Sequence, residues 1–297
     1  MTKNILKECK LCPFCCGVDR TKGQKGVCKA PGNAVLSKYF VHKWEEPCIS
    51  GENGSGTVFF THCNLKCVFC QNFKISQEGA GREVSITDLA EIFLELQQNG
   101  VNNINLVTPT IYSVQIIQAV KLAKEKGLAL PIVWNSNAYE RVETLKMLTG
   151  LVDVYLPDLK YFSDDLALKY SAAPGYFDIA TQAILEMFSQ VGEPVFDGNG
   201  IIKKGLVIRH LVLPGHVKDS KKVLQWISAN LPKGVYISIM SQYAPYYKAK
   251  NYPEINKTLS KKEYDEVIDY FFELGLENGY IQEEGAASDE YVPDFDE

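Results

Sequence analysis

Thr57–Cys70 reads TVFFTHCNLKCVFC, four β-forming residues followed at once by a C-x3-C-x2-C triplet made of Cys63, Cys67 and Cys70. A strand that delivers three thiolates into the loop at its end can wrap them around one inorganic centre. A cluster used only for electron transfer normally has four cysteine ligands, so three thiolates leave one iron open to bind a substrate. A structural zinc site more commonly takes four ligands in paired C-x2-C units, which this triplet does not supply by itself.

The remaining thiols lie on the amino-terminal side. The chain has nine cysteines in 297 residues, and none follows Cys70. An odd count fits complete pairing badly, and so much clustering points to metal chemistry. Residues 9–28, CKLCPFCCGVDRTKGQKGVC, hold Cys9, Cys12, Cys16 and Cys28 in a C-x2-C-x3-C-x11-C pattern, with Gly17, Gly23 and Gly26 available for tight turns. Four thiolates suit structural zinc or an auxiliary iron–sulfur cluster equally, and reduced thiols are the remaining reading. Cys15 could stand in for Cys16, and Cys48 could be recruited by either group.

Downstream, short apolar runs alternate with amphipathic segments, the pattern of β/α units. Strands are expected at Thr57–Phe60, Ile104–Thr108, Pro131–Trp134, Asp153–Leu156, Leu206–Leu213 and Val235–Met240. Helices are expected from near Thr87 to Gly100, then over Ser113–Lys126, Tyr139–Leu148, Tyr176–Gln190 and Ser220–Asn230, with a last one between Lys261 and Gly275. The fold expected is α/β, an incomplete parallel (β/α)6 barrel with a small Cys-rich amino-terminal module. Its divisions are 1–50 for that module, 51–245 for the barrel core, and 246–297 for a carboxyl-terminal helix and tail packed on the core. In such folds reactive groups gather at the carboxyl ends of the strands. The triplet sits there, as do Thr108-Pro109-Thr110, Asn135-Ser136-Asn137 and Asp158-Leu159-Lys160.

Residues 45–76, 103–112 (NINLVTPTIY), 134–140 (WNSNAYE), 152–162 (VDVYLPDLKYF), 207–216 (VIRHLVLPGH) and 277–297 together resemble the pyruvate formate-lyase activating enzyme-related subfamily of radical S-adenosylmethionine (SAM) proteins. The resemblance covers nearly the whole chain. It implies a 4Fe–4S cluster on Cys63, Cys67 and Cys70, whose free iron chelates SAM, and reductive cleavage to a 5′-deoxyadenosyl radical that abstracts hydrogen. It further implies that Asn135 and Ser136 approach the SAM ribose, that Asp158 and Lys160 stand close to SAM, and that Arg209 lines the same pocket. A structural ion pair is the other reading of Asp158 and Lys160. The Gly-Gly-Glu turn that holds SAM's amino group in activases is replaced here by Thr108-Pro109-Thr110, whose hydroxyls or carbonyls would take its place. The resemblance implies a substrate that is a protein, as for a glycyl-radical-enzyme activase, or a small molecule, and an electron donor of the flavodoxin or ferredoxin kind. The competing class is a non-catalytic zinc or iron–sulfur binding module.

His42 with Glu45 and Glu46 could perform acid–base work or bind a substrate, or could belong to an entry loop that packs Trp44. His62 reads as a loop residue beside the triplet; His210 and His216 could face substrate. Gln242, Tyr243, Tyr246 and Tyr247 could line a pocket mouth or pack. The ending SDEYVPDFDE is either a solvated acidic tail or docks through Tyr291 and Phe295. A formal charge of −5 and pI near 5.6 argue against nucleic acid or anionic membrane as partners. The opening MTKNILKECK has no apolar run suited to a signal peptide, so a cytoplasmic protein is expected.

Overall fold

The computed structural model describes residues 5–282, so the tail and the residues Tyr291 and Phe295 lie outside the described residues. Ten strands form one sheet: β1 Ala34–His42, β2 Ser55–Phe60, β3 Arg82–Val84, β4 Ile104–Val107, β5 Ile132–Ser136, β6 Val154–Pro157, β7 Val195–Phe196, β8 Ile202–Leu211, β9 Tyr236–Met240 and β10 Gly279–Ile281. The order is β10-β9-β8-β6-β5-β4-β2-β1-β3, with β7 paired to β8. Neighbours from β2 through β10 pair in parallel. The six expected strands form the middle of this sheet, and it curves as an open barrel.

Four strands escaped the reading of the sequence. β1 pairs antiparallel with both β2 and β3, and β10 extends the parallel run by one strand. β3, β7 and β10 are three residues or shorter, too brief for a period of two to register. β1 lies within the 1–50 stretch yet shares the sheet with the core.

Among the described residues there are eight α-helices: α1 Pro47–Ser50, α2 Ile86–Gln98, α3 Ser113–Glu125, α4 Val142–Lys146, α5 Asp164–Ser171, α6 Tyr176–Val191, α7 Val217–Asn230 and α8 Lys261–Glu273. Capping boxes start α2 and α8: Ser85 with Asp88, and Ser260 with Glu263, answer backbone N–H groups that no intrahelical carbonyl can reach. Helix α4 is shorter than the expected Tyr139–Leu148, because Tyr139 and Glu140 are held in the loop after β5.

Side-chain alternation along the parallel strands sorts the interior into two faces. Ile132, Trp134, Tyr155, Leu206 and Ile208 point outward into the main core under the helices, whereas Val133, Val154, Leu156 and Val207 point into the barrel. There they meet Cys48 and Ile49 of α1, both fully buried. The segment between β1 and β2 therefore floors the barrel with apolar side chains. Two residues further along each strand the inward face turns polar, from Val133 to Asn135, Leu156 to Asp158 and Val207 to Arg209.

The Cys-rich segment packs outside the barrel. Leu6, Cys9 and Leu11 bury against Val114 of α3. Thr144 of α4 donates to the Leu11 carbonyl at 2.9 Å, and Arg20 donates to the Ile111 carbonyl at 2.7 Å. Among the described residues no helix is long and apolar enough to cross a membrane.

Because Ile49 closes the barrel floor from a fully buried position, Ile49→Ala should lower unfolding free energy by about 2–5 kcal/mol. Urea denaturation checks this; a loss below about 1 kcal/mol would mean that α1 does not seal the floor.

Candidate functional site

A cavity of about 320 Å³ opens at the carboxyl ends of the strands. Its wall carries Cys63, Cys67 and Cys70 on one side and Thr108, Asn135, Ser136, Asp158, Lys160 and Arg209 around the barrel mouth. These expected site residues come from the ends of five strands and meet in one place.

The cysteine loop is held on every side. Lys66 N–H and Val68 N–H donate to the carbonyls of Ser171 and Tyr170 at the end of α5, at 2.9 and 2.8 Å. The Lys248 N–H reaches the Val68 carbonyl at 2.8 Å from the opposite direction. Asn64 donates to the Tyr139 carbonyl at 2.7 Å. His62 turns the chain into the loop with a φ of 65°, and Gly79 must be glycine because a Cβ there would lie 2.6 Å from the His62 ring. His62 does not line the cavity, in keeping with a loop role.

Donors converge on the sulfurs: Leu65 N–H and Asn137 Nδ2 each stand 3.4 Å from Cys63 Sγ, and the Ser171 hydroxyl stands 3.0 Å from Cys67 Sγ. Cys70 Sγ lies 3.2 Å from Ser76 Oγ. Burial, followed by repulsion from Cys67, pushes the Cys63 thiol up to about 12 and that of Cys70 up to about 11. Burial likewise raises Cys67. A cationic inorganic centre relieves both penalties, so this donor set fits a cluster.

Below the cysteines lies an ion network. Arg209 donates from Nε to Asp158 Oδ1 at 2.8 Å, from Nη1 to Glu45 Oε2 at 3.1 Å and from Nη2 to Asn135 Oδ1 at 2.6 Å. Lys160 Nζ meets Asp158 Oδ2 at 2.6 Å. Burial alone would raise Asp158, but Arg209 and Lys160 together hold it below its ordinary value. Glu45 Oε1 accepts from Asn105 and Asn135, both at 3.2 Å. Asn135 thus commits both ends of its amide to the network, while Ser136 donates to the buried Glu140 at 2.6 Å.

Several expectations land elsewhere. Thr110 is buried on the turn leading into α3 and does not line the cavity, whereas Thr108, at a φ of 59°, does. His210 is buried with Nδ1 2.7 Å from the Leu159 carbonyl, and His216 contacts the Tyr170 hydroxyl at 3.1 Å; neither lines the cavity. Gln242 and Tyr246 line the mouth, Tyr243 is buried, and Tyr247 stacks on Phe73 at 4.9 Å. Asn137 stands on the cluster side, a role that its place as a strand-ending amide could have signalled. For Glu45 and Glu46 the alternatives are a site role and an entry loop. Both enter the site, while Trp44 stays 65% exposed rather than packed away.

Cys9, Cys12, Cys16 and Cys28 line a second, much smaller cavity of about 10 Å³, closed by Leu11, Val18, Arg20, Gly26 and Ile111. Val27 N–H donates to Cys16 Sγ at 3.4 Å, and a Cβ on Gly26 would lie 2.7 Å from that sulfur. Cys15 is exposed and Cys48 sits in the barrel floor, so neither joins the four. Among the described residues no three His, Cys, Asp or Glu side chains are closed around a single-ion position.

Residues 57–227 match the sequence profile of the Radical SAM superfamily, which is more than half of the chain. The chain belongs to the radical SAM superfamily. That family uses a 4Fe–4S cluster and SAM for radical chemistry, which makes this protein a radical SAM enzyme. An uncharacterized protein of Methanocaldococcus jannaschii is 33% identical over 280 residues, spanning 91% of this chain and 75% of the relative. Among solved structures, SuiB of Streptococcus suis bound to S-adenosylmethionine aligns with a TM-score of 0.51 at 16% identity, over 75% of this chain and 48% of that one. This likeness is one of fold. A domain of pyruvate-formate lyase-activating enzyme from Bacteroides vulgatus aligns at 0.42 and 16% identity, over 59% of this chain and 94% of that domain.

Glu46 is raised to about 7, by burial first and by Glu45 next, with Arg209 opposing. A carboxyl raised by folding stabilises the protein below its unfolded value, about 4.3, and that contribution is lost as pH rises through the folded value. Wild-type stability should therefore fall between about pH 4.5 and pH 7 relative to Glu46→Gln, by up to roughly 3 kcal/mol in urea denaturation. Parallel pH profiles for the two proteins would remove the raised carboxyl from the account.

Proposed function

We propose that this protein cleaves SAM reductively on a 4Fe–4S cluster held by Cys63, Cys67 and Cys70 and abstracts hydrogen from a substrate admitted to the same cavity. The observation that carries the reading is the convergence of three thiols and the Asp158–Lys160–Arg209 network on one cavity at the strand ends. When bound, the reduced cluster supplies the electron that splits SAM into methionine and a 5′-deoxyadenosyl radical.

The chain's own groups do the positioning. Asn137, Ser171 and the Leu65 N–H orient the cysteine sulfurs by hydrogen bonds, as outer groups commonly do around metal ligands. Lys160 offers its remaining N–H donors to an anionic group such as SAM's carboxylate, because Asp158 holds it charged and in place. Asn135 and Arg209 act on the ribose side through the rigid network, since their hydrogen bonds are already committed. Thr108, turned inward by its left-handed backbone, takes the place of the missing Gly-Gly-Glu turn. Leu65, Phe69 and Ile75 give the wall apolar surface that keeps water from a reactive radical.

The subsidiary assignments follow the sequence resemblance: an activase-like hydrogen abstraction from a protein or small molecule, an electron donor of the flavodoxin or ferredoxin kind, and a metal on Cys9, Cys12, Cys16 and Cys28. The enclosure of those four thiols around one small cavity, with Cys15 turned out, supports that last assignment.

Anaerobically reconstituted protein with dithionite should release 5′-deoxyadenosine from SAM, and Cys63→Ala should reduce that release at least about 100-fold while keeping its fold by circular dichroism. A fully loaded, reduced wild type that leaves SAM intact would sink the proposal. Cys12→Ser should leave the Cys63 cluster in place and remove one metal centre; elemental analysis then reads either about one zinc lost or about four irons lost. Unchanged zinc and iron contents would refute the second site.

A further inference from the structure

Glu46 and Glu45 are adjacent in sequence but differ in how the cavity answers them. Glu45 is saturated by Arg209, Asn105 and Asn135. Glu46 is 8% exposed and lines the cavity; its carboxyl takes a hydrogen bond from the Ser238 side chain, while its buried Oε2 accepts none. The nearest cation, Arg209 Nη1, stands 3.9 Å away, with its N–H groups directed at Asp158, Glu45 and Asn135. Two cations, Lys160 and Arg209, thus face three carboxylates at the cavity floor, and the surplus acid is Glu46. An uncompensated buried acceptor in a cavity wall is stable only if a ligand completes it or a proton neutralises it.

The surroundings indicate which ligand. Tyr280 of β10 neighbours Glu46 and lines the cavity, as do Trp44, two residues upstream, and the neutral polar groups Ser238, Gln242 and Gln282. A carboxylate beside an aromatic ring, in a cavity lined by neutral hydrogen-bonding groups, recognises a cationic nitrogen. Ser238 and Tyr280 are register neighbours on β9 and β10, next to Arg209 on β8. This group lies at the far end of the sheet path from β2 and β4, whose ends carry the cysteine triplet and Thr108.

We propose that the free Oε2 of Glu46 is the anchor for a cationic nitrogen, an ammonium or guanidinium, on the substrate. This rests on the cavity being the SAM and substrate site. The subsite selects amine-bearing substrates, with Trp44 and Tyr280 flanking the bound cation. The charged and titratable groups facing Glu46 are Glu45 beside it, Arg209 on β8, Cys48 on α1 and Tyr280 on β10. Arg209 stays charged and the thiol and phenol stay neutral through neutrality. The binding therefore strengthens as pH rises past the raised value of Glu46, about 7.

The test is anaerobic calorimetry of n-butylammonium chloride on the SAM-loaded, reconstituted enzyme, with n-butanol as the uncharged control. Wild type should bind the amine about tenfold more tightly at pH 8 than at pH 6, following ionisation of one acid, and should not bind butanol. Glu46→Gln should lose the amine at both pH values with its iron content retained and its thermal midpoint no lower than wild type's, and Glu46→Asp should keep the pH dependence. Equal amine binding by Glu46→Gln, or equal binding of butanol, overturns the subsite. A tenfold loss of SAM affinity in Glu46→Gln also overturns it, since the oxygen then belongs to SAM's own ammonium. Amine binding in a protein that does not cleave SAM supports the subsite and defeats the reading of the cavity. SAM cleavage without amine binding does the reverse.

Discussion

Arg209 is the interaction around which the site is organised. Its guanidinium binds Asp158 just after β6, Asn135 from β5 and Glu45 from the floor segment, so one side chain ties three parts of the barrel together. A buried cation is tolerable only when its donors are answered with good geometry, and a planar fork with five N–H groups is suited to answering several acceptors at once. Lysine at this position could not reach three partners in three directions. The network in turn keeps Lys160 charged, and so links the floor of the barrel to the wall beside the cysteines.

That network stands where it does because of the two-residue repeat of a strand. Val133, Leu156 and Val207 seal the lower barrel around Ile49, and the next inward positions, Asn135, Asp158 and Arg209, are polar. An apolar layer beneath keeps water from the ion pairs and strengthens them; a polar layer above faces the cavity. The floor segment serves both layers, inserting Cys48 and Ile49 below and Glu45 and Glu46 above. Fold and site are therefore built from the same residues of β5, β6 and β8.

The cysteine loop illustrates a different economy. Its three thiols are costly to ionise in the bare protein, being buried and close to one another, and the loop is held by backbone bonds to α5 and to the segment at Lys248. Rigid backbone support with unfavourable thiolate electrostatics is the arrangement that an inorganic cation completes. The small amino-terminal cavity repeats the theme with four cysteines, where Arg20 reaches the Ile111 carbonyl and lies 3.9 Å from Cys9 Sγ.

By itself the sequence determined what local pattern can carry. The spacing of Cys63, Cys67 and Cys70, the six parallel strands and the strand-ending Asp158 and Lys160 are short-range features, set by side-chain period and by residue type next to a predicted strand end. The triplet's spacing also directs the proposed metal chemistry, since three thiolates would leave a fourth position open. What only the tertiary structure decided depends on long loops closing. Glu45 lies 164 residues from Arg209, and nothing in EEP announces that one acid will be answered at both oxygens and its neighbour left with Oε2 unanswered. The choice of Cys16 over Cys15, the withdrawal of Thr110, and the committing of Asn135 to the ion network are likewise outcomes of packing. Burial and hydrogen-bond saturation are properties of the assembled barrel, because the groups that answer each buried atom come from strands far apart in the chain.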